Sequence, residues 1–311
     1  MANVVSENGE PKSAISYKHP DFFAKVNEQV LMPGTTEEML DCLSRLKVCN
    51  DDVIITSWPK SGTTWTMEIV WQLYNDGKID ETQIDKKVKF LDTMFIPADP
   101  ANPQTPNDVI KTFQGLPRPR LLKTHLNYQY VPMGEDRGSA PKTIVVMRNP
   151  KDAFVSYFNH YTGLAILQCD TDWEEFFELA LSGDVVFGSW FDFVRSWWPH
   201  RHDPNVMFLR YKDLKQDLPA MIQRIASFLE LRPNADLMAQ VAQQTTFSAM
   251  RDRPSFDHSW FGQKPGRKFE FLWKGKVGSW KDFFTEEQNR RFDRKFKQEM
   301  AGTGFDLSYF D

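Results

Sequence analysis

Cysteine is scarce: the 311 residues hold three, Cys42, Cys49 and Cys169, at spacings that match no metal-binding pattern. So sparse and odd a set excludes a disulfide framework and fits reduced thiols in the cytosol. Long apolar runs are also missing. No stretch of about 18 apolar residues occurs, so no membrane-spanning helix is expected, and mean hydropathy is −0.51. Met1 to Ser13 is polar and acidic, without the apolar segment of a secretion signal. Excess positive charge is absent too: 38 Lys and Arg stand against 42 Asp and Glu, a net charge of −4. Nucleic acid and membrane surfaces are therefore excluded as general partners, and any anion site must be made locally. These absences together predict a cytoplasmic protein.

What is present is apolar and aromatic residue in quantity, 41% hydrophobic with 25 Phe and 10 Trp, enough to bury a sizeable core at this length. Residues 1–15 read as a disordered tail and 16–311 as a single domain, with no repeat and no low-complexity linker. Proline and glycine cluster between Pro97 and Pro119, and charge, proline and glycine between Arg251 and Lys268. Both stretches read as long loops. Elsewhere short apolar runs alternate with helical patterns. Val53–Thr56, Arg120–His125, Thr143–Met147 and Val206–Leu209 read as strands. Helices are expected at Thr64–Asn75, from Pro150 and at Pro219–Leu229. This alternation predicts an α/β fold with a central parallel sheet flanked by helices, and ligands at the carboxyl ends of its strands.

The first of these strands runs directly into Pro59-Lys60-Ser61-Gly62-Thr63-Thr64-Trp65. A strand, a tight loop with one glycine and three hydroxyls, and a helix start make a P-loop-like phosphate cradle. Lys60 adds a mobile point charge. A nucleoside triphosphate P-loop does not fit, because Lys60 precedes Gly62 and no glycine stands five residues before it. Lys123 and His125 lie two apart on a strand and so share a face, a cation beside a base suited to neutral pH. Arg148 ends the third strand just before Asn149-Pro150, an N-cap and N1 pair. Ser156 lies eight residues on, about two helical turns away, and spacing does not pair the two.

Together these segments resemble the cytosolic sulfotransferase family, over about residues 51–300. That likeness implies a co-substrate, 3′-phosphoadenosine 5′-phosphosulfate (PAPS), and a small-molecule acceptor, with no metal. It implies that Lys60 and Ser61, Gly62, Thr63 and Thr64 hold the 5′-phosphosulfate end and that Trp65 packs on the adenine. It makes His125 the general base and Lys123 its helper at the sulfonate. Arg148 and Ser156 take the 3′-phosphate positions. Tyr211, Thr245, Phe247 and Met250 fall on adenine-pocket segments, and Phe271, Lys274 and Gly275 on the C-terminal donor loop.

Two departures stand out. Trp273 occupies the position of an arginine that grips the 3′-phosphate in the family. An indole cannot supply that fork, so weaker donor binding is expected, offset in part by Lys274, Lys276 or Arg267. The family's C-terminal dimer motif is broken by Glu286 and Arg290, while Thr285-Glu286-Glu287-Gln288 reads as a capping box. A monomer, or a dimer that does not use that motif, is expected. The rival readings are a P-loop kinase and a nucleotide-binding module without catalysis. The accepting group is read as a hydroxyl or an amine, and the aromatic segments 97–119, 157–161 and 251–268 suggest a phenol or apolar alcohol. His160 is left as either a pocket or a solvent residue.

Overall fold

The computed structural model describes residues 23–96, 102–136, 138–167, 169–256 and 270–311. The expected tail (1–15) and most of the 251–268 segment, Arg267 included, lie outside the described residues. Five strands form one parallel sheet in the order β4-β5-β3-β6-β7. They are β3 (Val53–Thr56), β4 (Lys89–Phe90), β5 (Leu121–Thr124), β6 (Lys142–Met147) and β7 (Val206–Arg210). A separate antiparallel hairpin joins β1 (Ala24–Val26) to β2 (Gln29–Leu31).

The central strand β3 reads as a continuous apolar run because helices cover both of its faces. Val53, Ile54 and Ile55 are fully buried. Ile54, Leu122 and Val145 point into one core, and Val53, Ile55, Ile144 and Val146 into the other, the alternation that strand geometry demands. The first core is closed by α1 (Glu37–Ser44), α5 (Pro150–Gly163), α6 (Trp173–Ser182), α7 (Trp190–Trp197) and α12 (Glu286–Glu299). The second is closed by α2 (Thr63–Tyr74), α9 (Leu218–Phe228) and α10 (Ala235–Gln244). Shorter helices complete the frame: α3 (Ile84–Lys87), α4 (Pro106–Gln114), α8 (Tyr211–Gln216) and α11 (Phe247–Arg251).

Several local expectations hold at residue level. Asn149 caps α5 through its side chain, with Pro150 at N1. The Thr285 hydroxyl accepts from the Gln288 amide at 3.1 Å while the Gln288 side chain accepts from the Thr285 amide, so the capping box opens α12. Two readings need correction. The 97–119 stretch is not one long loop. Thr105 and Asp108 form a second capping box and Pro106 sits at N1, which starts α4; the prolines there punctuate a helix rather than prevent one. The fourth strand, read as Val206–Leu209, runs one residue further. β7 stops at Arg210, and Tyr211 opens α8.

Candidate functional site

Four of the five sheet strands, β3, β5, β6 and β7, deliver polar residues at their carboxyl ends. β3 leads into residues 57–62, β5 into His125, β6 into Arg148 and β7 into Tyr211. These ends open on one cavity of about 1330 Å³. Lys60, Gly62, Thr63, Thr64, Trp65, Lys123, His125, Arg148, Ser156, Tyr211, Phe247, Met250, Phe271, Lys274 and Gly275 all line it, as does Trp273. Arg148 and Ser156, which spacing did not pair, both line this cavity. Ser61 and Thr245 are buried but do not line it. The Thr245 carbonyl instead accepts from the Trp65 indole at 2.7 Å.

The loop between β3 and α2 is held tightly. Lys60 adopts φ of 64° and Gly62 φ of 110°. A Cβ on Gly62 would lie 2.8 Å from the Tyr211 ring, so only glycine lets the backbone pass there. Ser57 and Thr63 share a hydroxyl–hydroxyl hydrogen bond of 2.5 Å. Lys60 donates to the Phe271 carbonyl at 3.1 Å and lies over the Phe271 ring. Burial, with Arg148 and Lys123 nearby, lowers its pKa to about 7.

His125 is buried, and its Nδ1 lies 2.7 Å from the Ser57 carbonyl. A carbonyl only accepts, so Nδ1 carries the proton and Nε2 is left with its lone pair. Burial first, and Lys123 second, hold its pKa well below the ordinary value. The ring packs against Phe90 and Phe187, and Phe187 holds the unusual φ of 72°. The neighbouring Lys123 lies over Phe90 and 3.7 Å from Asp85.

Sequence reasoning passed over three groups that set this geometry. Asp92 is buried and accepts from the His125 amide; burial raises its pKa to about 7. Phe187 follows no motif. Asp152 lies within the Arg-Asn-Pro-Lys-Asp string, yet its work is at the other end of the chain, where it accepts from the Gly278 and Trp280 amides at 2.7 and 3.0 Å. A buried carboxylate in the first turn of a helix was the available clue.

Arg148 donates to the carbonyls of Lys60 and Lys276 and lies over the Tyr211 ring. Its Nε is buried with no partner, a donor in want of an acceptor. Lys274 lies over the Trp273 ring, which itself packs on Phe283. Trp65 and Tyr211 meet edge to face, and Lys215 lies within 6 Å of both the Trp65 and the Phe247 rings. The opposite end is apolar: Met32, Met39, Phe90, Phe95, Leu164, Leu167 and Phe187 line it. His160 also lines the cavity, its ring beside Phe271 and Tyr157, which settles its choice between pocket and solvent. Among the described residues, Cys49, Asp51 and Asp52 form the single acidic and thiol cluster spaced for a metal. None of the three lines the cavity, and Arg118 and Arg120 pair with its carboxylates. No helix of the described residues is long and apolar enough to cross a membrane.

In class, this is an α/β protein with a P-loop-like cradle and a histidine–lysine pair converging on one cavity. The sulfotransferase domain model matches residues 50–304, and the chain belongs to the sulfotransferase family. Sulfotransferase 1B1 of Canis lupus familiaris is 35% identical over 255 residues, 81% of this chain and 84% of that protein. Among solved structures, mouse sulfotransferase SULT7A1 complexed with PAP superimposes with a TM-score of 0.72 at 31% identity, covering 91% of this chain and 96% of that one. Retinol dehydratase in complex with androsterone and the inactive cofactor PAP gives 0.74 at 25% identity, covering 86% and 87%.

Proposed function

We propose that this sulfotransferase moves the sulfonate of PAPS to the hydroxyl of a phenolic or apolar alcohol, with His125 as the general base. The observation that carries the reading is the His125 ring: Nδ1 tied to the Ser57 carbonyl, Nε2 unprotonated, and the pKa held down by burial and Lys123. An imidazole kept neutral beside two lysines is suited to take a proton, not to supply charge.

Each step then has a residue. Nε2 accepts the hydroxyl proton as the acceptor oxygen attacks sulfur. The bond from sulfur to the bridging oxygen breaks in line, and the nucleotide leaves as adenosine 3′,5′-bisphosphate (PAP). Lys60 and Lys123 counter charge on the bridging oxygen and the sulfonate, where preorganised cations are most effective. The amides and hydroxyls of Gly62, Thr63 and Thr64 hold the 5′-phosphate at the start of α2. Ser61, buried beneath that loop, supports it from behind. Arg148, with its unpartnered Nε, and Ser156 take the 3′-phosphate. Trp65, Tyr211, Phe247 and Met250 enclose the adenine, with Thr245 acting through its carbonyl on Trp65, and Phe271, Lys274 and Gly275 close the donor end. A cytoplasmic setting suits the reduced cysteines and the donor.

His125→Asn tests this directly. Turnover with PAPS and a phenol falls by about a thousandfold, within the usual range for a lost general base, while PAP binds within about twofold of wild type. Retained turnover places the base elsewhere.

A further inference from the structure

Glu68 is fully buried on α2, one turn beyond Thr64 and on the same face. Its Oε1 accepts from Gln72 at 2.7 Å and from Arg253 Nη1 at 2.9 Å. Arg253 has an exposure of 11% and spends its other donors on backbone. Nε reaches the Ala249 carbonyl at 3.3 Å and Nη2 the Gln244 carbonyl at 2.9 Å, and the guanidinium lies over Phe256. One side chain therefore ties α2, the end of α10 and α11 together.

Two of those elements, α2 and α11, line one side of the cavity. α2 begins with the phosphate cradle and carries Trp65. α11 carries Phe247 and Met250, which line the cavity. The next layer rests on Phe247: a Cβ on Gly275 would fall 2.5 Å from its ring, so residues 271–275 follow wherever α11 goes. Trp65 fastens the same junction higher up, through the Thr245 carbonyl.

We infer that the Glu68–Arg253 pair is a positioning device for the nucleotide. It sets the spacing between the Trp65 and Phe247 walls and so governs donor affinity without touching the donor. This rests on the reading of that end as the PAPS site. Removing Arg253 leaves the fully buried Glu68 carboxylate without its cationic partner, a cost met by protonation or by water drawn between α2 and α11.

The experiment compares Arg253→Met, Arg253→Lys and Glu68→Gln with wild type by PAP calorimetry, steady-state kinetics with a phenol, and thermal melting. Arg253→Met is expected to weaken PAP and raise the KM for PAPS by about tenfold, the size of coupling seen between residues of one network. The acceptor KM at saturating PAPS and kcat stay within about twofold. Arg253→Lys restores part of the PAP affinity. Glu68→Gln keeps the shape and an acceptor oxygen, so it folds even if Arg253→Met does not, and it weakens PAP severalfold. Unchanged PAP affinity in both Glu68→Gln and the soluble Arg253 variants overturns the inference, whatever happens to melting temperature. So does an acceptor KM that rises as much as that for PAPS. A wild-type protein that binds no PAP strikes instead at the donor reading.

Discussion

The two ends of the cavity differ in how they are made. At the end of the β3–α2 cradle, position is fixed by backbone: a glycine at φ of 110°, a lysine at φ of 64°, carbonyls that receive Arg148 and Trp65, and the Asp152 carboxylate fastened to the 278–280 turn. At the other end, position is set largely by the packing of rings and aliphatic chains, with Phe187 also held through its amide to the Val30 carbonyl. A backbone-built site tolerates few residues at each point and leaves a recognisable string. A packed wall accepts many apolar combinations. Specificity for a shared donor and freedom in the acceptor follow from that division of labour.

Four changes break or sharpen the contrast. The largest effect is expected from Gly62→Ala. The added Cβ meets the Tyr211 ring at 2.8 Å in a backbone conformation that alanine resists. At roughly 1–3 kcal/mol of strain plus a displaced loop, PAP affinity drops by about a hundredfold, read by calorimetry. An equivalent change on the packed wall, Leu164→Val, leaves PAP binding within about twofold.

Next comes pH. Lys60 has a pKa of about 7 in the free protein, lowered chiefly by burial. An anion bound beside it raises that pKa, so binding takes up a proton. The gain is complete below pH 7 and is lost as pH rises toward the pKa of the complex. PAP affinity therefore falls by at most about tenfold per pH unit above 7, and Lys60→Arg, charged throughout, flattens the slope. An unchanged affinity from pH 7 to 9 in wild type removes this account.

Trp273→Arg should act in the opposite direction. The indole lines the cavity and cannot offer a fork of donors, while Lys274 is held over the Trp273 ring. A new charged hydrogen bond is worth about 1.5–3 kcal/mol, so PAP binds at least about tenfold more tightly. The smallest effect belongs to His160→Phe. Removing this polar ring, which packs beside Phe271 and Tyr157, shifts relative KM values by about three- to fivefold, in favour of hydrocarbon-like alcohols over phenols bearing a second polar group. PAP affinity does not move.

The same division explains what could be read from the residues. Four of the five sheet strands were legible because they stand out as apolar runs, while β4, two half-buried residues, gave no such run. Lys60, His125 and Arg148 were legible because each follows such a run directly. Ser156 needed the fold, since α5 must lie against the sheet before its second turn faces the cavity that Arg148 lines. Asp92 and Phe187 gave no signal: one is an acid in an irregular segment after a two-residue strand, the other a ring held by a bridge from Val30 to Val186. The 97–119 stretch was misread because its prolines were weighed as loop residues, while the Thr105–Asp108 box around Pro106 is a helix signal.

The Asp152 carboxylate has one more consequence, for the order in which the protein can become competent. It stands near the middle of the chain, yet its amide partners are Gly278 and Trp280, more than 120 residues later. During synthesis on the ribosome the cradle, His125 and Arg148 emerge long before the segment that Asp152 must fasten. A nascent chain can thus assemble its sheet and still lack a finished pocket. The finished pocket arrives with that late turn, and a chain truncated before it would also lose α12, which closes one of the two cores.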